Sequence, residues 1–258
     1  MSKSAKMART ARDTMHPSLS VGFPLSGEWY VAADGTEAGH ELALDFIRLD
    51  KHFKATRRSA WRELLTAVPY EQYHGWGQAI LSPFDGRVVA AVDGCPEHPQ
   101  SFLMKLWGLA KASFLSPGQR RRLANLLANG GGDIREFAGN HLIIESVEFA
   151  GIYAFLAHAR RGSLKVKAGD MVRCMQPIAE VGDSGQSIGP HLHFQLMSSP
   201  NPLTQQLVPF SFSVYEAQVD GHWLIQRQAL PPRGQRIRSL GPDGTTSSPP
   251  SGVPSDPL

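Results

Sequence analysis

The chain has 258 residues, 41% of them hydrophobic, with a formal net charge of +3 and ten histidines. That length and apolar content suffice for one sizeable core, and so mild a basicity excludes the footprint of a nucleic-acid-binding protein. The two cysteines, Cys95 and Cys174, make no CxxC pattern, which excludes a cysteine zinc site in practice and allows one disulfide without demanding it.

Residues 1–20 carry Lys3, Lys6, Arg9 and Arg12 and no apolar run, and are expected to be unstructured. No stretch reaches the length of a membrane span and no export signal is recognisable, so no integral membrane segment is expected. As written the chain reads as cytoplasmic, with the cell envelope or the extracellular medium the expected location if its start is mis-assigned or its export non-standard. Residues 21–31 end in Trp29-Tyr30-Val31 and read as a first strand; residues 42–49 are a strongly apolar second. Residues 56–67, with Trp61, Leu64 and Leu65 on one face and Pro69 beyond, read as a short amphipathic helix. A strand–turn–strand unit follows over 79–92, around Asp85-Gly86.

Residues 99–136 break this rhythm. Phe102, Leu106, Leu109, Ala110 and Leu115 recur at helical spacing, and Ser116, Pro117 and Gln119 form an N-terminal cap for a second helix ended by Gly130-Gly131-Gly132. This predicts a helical-hairpin insertion, either packed on the sheet or serving as a wall of a substrate cleft. Strands are expected again over 141–147, 151–157, 164–166, 171–172 and 177–181. From Leu230 the chain is rich in Pro, Gly, Ser and Thr, and residues 230–258 are expected to be a disordered tail. The predicted organisation is one mainly β, antiparallel domain over 21–229.

The chemistry-bearing residues lie near strand ends. In Gly189-Pro190-His191-Leu192-His193-Phe194, two histidines stand two apart on a predicted strand. They share one face, about 6–7 Å apart. The pair suits a metal ligand beside a proton-transfer group, or equally a solvated sheet face. His40 and Asp45 bracket the start of the second strand, and His158 ends Tyr153-Ala154-Phe155-Leu156-Ala157. A mononuclear catalytic zinc needs three protein ligands, an open position and a group that moves protons.

The order of these motifs resembles the lysostaphin-type zinc endopeptidases, the LytM family of peptidoglycan hydrolases. Carrying the resemblance are His40 and Asp45, Pro83-Phe84-Asp85-Gly86-Arg87-Val88, Gly139-Asn140, His158, Ala168-Gly169-Asp170-Met171-Val172 and 182–194 with its Gly-Pro-His-Leu-His-Phe end. It spans roughly 38–197. The resemblance implies an antiparallel β-sheet or sandwich, one zinc per chain, and peptidoglycan peptides as substrate. It assigns His40, Asp45 and His193 as zinc ligands, and His191 and His158 as the residues beside the attacking water and the substrate carbonyl. Two imidazoles and one carboxylate would leave the zinc a net positive charge, keeping it a strong Lewis acid. Whether His158 stabilises the oxyanion or shares the proton transfer stays open at this level. The protein is expected to be a monomer.

One spacing departs from the family pattern. The commoner form is His-x-x-x-Asp; here four residues separate His40 from Asp45. On a regular strand i and i+5 face opposite ways, so a bulge or turn is required at His40. His52 is the alternative ligand. Two other functions compete. A non-catalytic LytM-like module that activates another wall hydrolase would be expected to lack ligands, and this chain keeps them. A lipoyl- or biotinyl-type carrier, suggested by the hairpin at 166–180, would need a lysine in Met-Lys-Met context at its tip, and none is present.

Overall fold

The computed structural model describes residues 19–34, 42–58, 66–97, 134–202 and 207–240. Among them the strands are β1 (Ser20–Val21), β2 (Glu28–Ala33), β3 (Leu44–Ile47), β4 (Ala79–Leu81), β5 (Gly86–Val92), β6 (Asn140–Ser146), β7 (Tyr153–Ala159), β8 (Met171–Val172), β9 (Pro177–Glu180), β10 (His191–Met197), β11 (Ser211–Val219), β12 (His222–Ala229) and β13 (Arg236–Arg238). A single helical turn, α1 (Arg135–Ala138), precedes β6. The main sheet runs β1-β11-β13-β2-β3-β10-β7-β6-β5-β8, with β12 paired to the other side of β11, and β4 and β9 form a second, two-stranded sheet. All of these pairings are antiparallel except β1 with β11. The fold is therefore mainly β, as expected. No described helix is long and apolar enough to cross a membrane.

Alternation along the central strands separates two faces. Leu192, Phe194 and Leu196 of β10 and Leu44 and Phe46 of β3 point into the main core and are almost completely buried. Their neighbours His191, His193, Asp45 and Ile47 point the other way. On the core side Phe23 meets Phe46 and Phe212 edge-on at 5.2 Å, and Phe194 meets Phe210 at 5.4 Å. Such edge-to-face pairs add about 0.5–1.5 kcal/mol each beyond their burial. A smaller cluster of Ile143, Phe155, Ala157 and Met197 covers part of the opposite face. The chemistry-bearing residues lie beside it.

Several sequence expectations change. The first strand is broken into β1 and β2, because Gly22 lies against Pro83 and Gly27 takes a left-handed conformation. β4 and β5 do not pair with each other. β4 is taken by β9, and Ser82, whose hydroxyl donates to the Phe84 carbonyl, turns the chain out of that sheet into β5. Residues 164–166 form no strand. Beyond 197 lies a hairpin not anticipated from sequence, β11–β12, closed by Asp220 and Gly221, both at positive φ. The chain after Leu230 does not simply leave the domain: β13 pairs with β2 and β11, Ile237 is fully buried, and Arg236 and Arg238 pair with Glu28 and Glu216. Residues 241–258 lie outside the described residues. So does nearly all of the predicted helical hairpin (98–133), and so do 59–65 of the predicted helix over 56–67.

Cutting Ile237 back to alanine is expected to destabilise the domain by about 2–5 kcal/mol, read as a lower midpoint in urea unfolding. A change below about half a kilocalorie would mean that β13 is not part of the cooperative core.

Candidate metal centre

The register between β3 and β10 brings two of the predicted ligands together. His193 stands directly opposite Asp45, and His191 opposite Ile47. The His193 Nδ1 and Asp45 Oδ1 atoms are 2.8 Å apart, and His191 Nε2 lies 4.0 Å from the same oxygen. The other His193 nitrogen, Nε2, donates to the buried amide oxygen of Gln195, at 3.1 Å. An amide oxygen only accepts, so the Nε2–H is committed there and Nδ1 is the lone-pair nitrogen of the neutral ring. That lone pair faces a carboxylate. Two lone pairs at 2.8 Å hold together only with a cation on them, a proton or a metal ion. A proton there makes the contact a hydrogen bond from His193 to Asp45; a divalent cation in its place would meet one imidazole and one carboxylate, donor types that suit zinc.

His158 reaches this face by an irregularity. Asn140 pairs with Ala159 and Leu142 with Leu156, so Ala157 and His158 together oppose the single residue His141. This is a β-bulge, and His158 carries the left-handed φ of 64° that goes with it. Plain alternation would have sent His158 into the core with Ala154 and Leu156. The bulge instead sets its ring 4.5 Å from that of His191 and 6.1 Å from that of His193. A positive φ at a non-glycine residue carries strain of about 1–3 kcal/mol, which the surrounding contacts must sustain.

Those contacts come from the 182–190 loop. The His158 ring Nδ1 donates to the Ser184 carbonyl at 2.8 Å, and Gly182 N–H donates to the His158 carbonyl at 3.0 Å. Ser184 is anchored in turn: its hydroxyl accepts from Asn140 N–H at 2.9 Å and donates to the Ala159 carbonyl at 2.8 Å. Gly139 and Gly185 permit this approach, since a Cβ on Gly139 would lie 2.3 Å from the Ser184 carbonyl carbon. His191 is fixed in the same way, its Nδ1–H donating to the Gly189 carbonyl at 2.8 Å beside the Ser187 hydroxyl. Both histidines therefore keep Nε2 as the lone-pair nitrogen.

The electrostatics follow from burial and proximity. Burial by itself would raise the Asp45 pKa. The His193 hydrogen bond and the nearby His191, His193 and His158 outweigh it, and Asp45 is lowered to about 2. Burial, then the neighbouring His191 and His193, hold His158 well below the usual histidine range. The carboxylate is thus charged and His158 neutral near pH 7.

His40, the third predicted ligand, lies outside the described residues. Leu42, between it and Asp45, has φ 58°, and β2 bulges at Ala32 where it passes β3. Among the described residues of that stretch, Leu42 thus departs from regular strand geometry. His52 is exposed on a turn, its backbone N–H bonded to Asp50. Among the described residues no group of three His, Cys, Asp or Glu side chains is arranged to hold a metal ion. Cys95 and Cys174 are not joined by a disulfide. Sequence reasoning missed Gln195 and the Ser184 and Gly189 carbonyls. Gln195 was legible as the next residue on the histidine face, two beyond His193; backbone carbonyls leave no trace in side-chain patterns.

In metal-free protein, His158 should remain neutral with a protonated Nδ1 at about pH 6, by long-range ¹H–¹⁵N correlation. The unfolded chain takes a proton near pH 6.5 that folded His158 refuses, so this residue costs stability as the pH falls below 6.5. An ordinary titration near 6.5 would contradict the geometry.

Comparison with known proteins gives the following. Residues 128–205 match the sequence model of a family described as Peptidase family M23. No curated protein matches. Among solved structures, the catalytic domain of a point mutant of the prophage-encoded M23 protein EnpA from Enterococcus faecalis is 17% identical, with TM-score 0.37 over 70% of this chain and 87% of that one. The catalytic domain of lysostaphin from Staphylococcus simulans is 16% identical, with TM-score 0.36 over 79% and 93%. Pseudoalterin, a deep-sea M23 metalloprotease, is 13% identical, with TM-score 0.39 over 81% and 95%. The matched segment contains His158, His191 and His193. Over that segment the chain is similar to peptidase family M23.

Proposed function

We propose that the protein is a zinc-dependent endopeptidase that hydrolyses peptide bonds in peptidoglycan stem or cross-bridge peptides. One observation supports this most. The His193 lone pair and the Asp45 carboxylate converge at 2.8 Å, on the face where His191 and His158 also present lone pairs. The peptidoglycan substrate rests on family likeness alone.

In this reading Asp45, His193 and His40 hold the zinc. A zinc ion held there would supply Lewis acidity toward the scissile carbonyl and the attacking water. His191 Nε2, with its Nδ1 tied to Gly189, accepts the proton of that water. The same nitrogen, once protonated, can donate to the departing amine. His158, 4.5 Å away between rings, shares the proton transfer. Two adjacent imidazoliums repel, so one proton at a time is held between the pair. Once protonated, His158 Nε2–H can donate to the developing oxyanion. Gln195 keeps His193 in the tautomer that offers Nδ1 to the metal.

Purified protein should carry one zinc per chain and cleave cross-linked muropeptides. Asp45→Asn and His193→Ala should each lose both zinc and activity. His191→Ala should keep the metal while kcat falls about 10²- to 10⁴-fold. Protein with no stoichiometric zinc, together with an active His193→Ala variant, would sink the reading. Gln195→Leu should weaken zinc about 10- to 100-fold in chelator competition; unchanged affinity would remove Gln195 from the site.

A further inference from the structure

His158 holds a strained, left-handed backbone, and the contacts that sustain it come from residues 182–184. Those residues need an anchor of their own, and a carboxylate away from the metal face supplies part of it. Glu97 accepts from two backbone amides at once. Asp183 N–H reaches its Oε1 at 3.1 Å, and Arg161 N–H reaches its Oε2 at 3.3 Å. Asp183 lies between Gly182, whose N–H holds the His158 carbonyl, and Ser184, whose carbonyl takes the His158 Nδ1–H. Arg161 lies just beyond the end of β7. One carboxylate therefore ties together the two backbones that meet at His158, through charge-assisted hydrogen bonds. Gly182 makes room for it: a Cβ there would lie 2.3 Å from Glu97 Oε1 and 2.4 Å from Arg160 Cα. The segment that carries Glu97 is itself pinned. Cys95 N–H donates to Asn140 Oδ1 at 2.7 Å, and Asn140 Nδ2 donates to the Cys95 carbonyl at 3.1 Å and to the Ala159 carbonyl at 3.0 Å. Asp93 accepts from Gly162 N–H at 2.8 Å. Residues 93–97 are thus laced to the chain from Ala159 to Gly162.

We propose that Glu97 is a positioning residue for His158. By holding the Asp183 and Arg161 amides, its carboxylate fixes the Ser184 carbonyl that selects the His158 tautomer, and with it the direction of Nε2. Its effect on turnover rests on the peptide hydrolysis proposed above; its effect on the His158 ring does not. His191 is oriented separately by the Gly189 carbonyl, and His193 by Gln195. Loss of the Glu97 carboxylate therefore acts through His158.

The test is a double-mutant cycle on the full zinc-loaded chain, with cross-linked muropeptides as substrate. Glu97→Leu should lower kcat about 10- to 100-fold, with KM and zinc content unchanged. Placed on His158→Ala, the same substitution should change kcat by less than about twofold, because the residue it acts through is gone. An unchanged kcat in Glu97→Leu, or equal losses in the two backgrounds, would overturn the assignment; the second result would mean general loosening. A wild type that cuts nothing would overturn the hydrolase reading instead. In that case, or if His158→Ala is too slow to time, the ring itself decides. In metal-free protein, the His158 Nδ1–H followed by ¹H–¹⁵N NMR should exchange with water about tenfold faster or more in Glu97→Leu than in the wild type. The His191 Nδ1–H should keep its rate. Equal exchange at His158 in the two proteins would overturn the assignment. If Glu97→Leu does not fold, Glu97→Gln, which keeps one acceptor oxygen of the two, takes its place in both arms with the same expected directions.

Discussion

The antiparallel register of β10 against β3 is the constraint on which the rest depends. It sets His193 against Asp45. The force that fixes it acts on the opposite face, where Leu192, Phe194, Leu196, Leu44 and Phe46 are almost wholly withdrawn from solvent. Each such side chain contributes about 1.5–3 kcal/mol by burial. A slip of one residue would turn all of them outward and drive two imidazoles and a carboxylate into the core. The metal face therefore inherits its geometry from hydrophobic packing that touches none of its polar atoms.

A second layer of constraint sets protonation. Three imidazoles around one carboxylate could share their protons in many ways. Three acceptors reduce the choice: the Ser184 carbonyl for His158, the Gly189 carbonyl for His191 and the Gln195 amide for His193. Each takes a specified N–H and leaves a specified lone pair facing inward. Two of the three are backbone groups of a loop held against Asn140 by close glycine contacts. The glycines and serines between 182 and 189 thus have a physical purpose: they let a carbonyl approach the His158 and His191 rings.

Alternation made part of this legible in sequence. His191 and His193 share a face because the period of a strand is two, and Asp45 joins them because Leu44 and Phe46 beside it had to turn inward. Alternation also explains what sequence could not supply. It points His158 the wrong way, and only the bulge opposite His141, a property of pairing between two strands, corrects it. Pairing choice likewise decided β4, whose turn residues suited a hairpin with β5 but whose partner is β9. The Asp220-Gly221 turn, with alternating residues on either side, was a readable hairpin signal. β13 was not readable, because three residues flanked by proline and glycine bury only Ile237, and the open edges of β2 and β11 decide their conformation.

Because both faces are built on the same strands, stability and chemistry are not independent. Phe194 lies between His193 and Gln195 in sequence and packs against Phe210 and Phe212 on the other side of the sheet. Removing its ring would leave every polar contact of the metal face formally intact, yet it would loosen the strand that carries His191, His193 and Gln195. Displacements of about 1 Å are enough to cost roughly 10²-fold in a positioned reaction. His158 is the more sensitive point, since its left-handed backbone is held in place by Gly182, Ser184 and the bulge. The strained residue is also one whose neutral state is held chiefly by burial. Relaxation of the 182–190 loop would release backbone strain and hydrate His158 in the same movement. Its orientation and its proton affinity are therefore set by one structural element, and a change in that loop should alter both together.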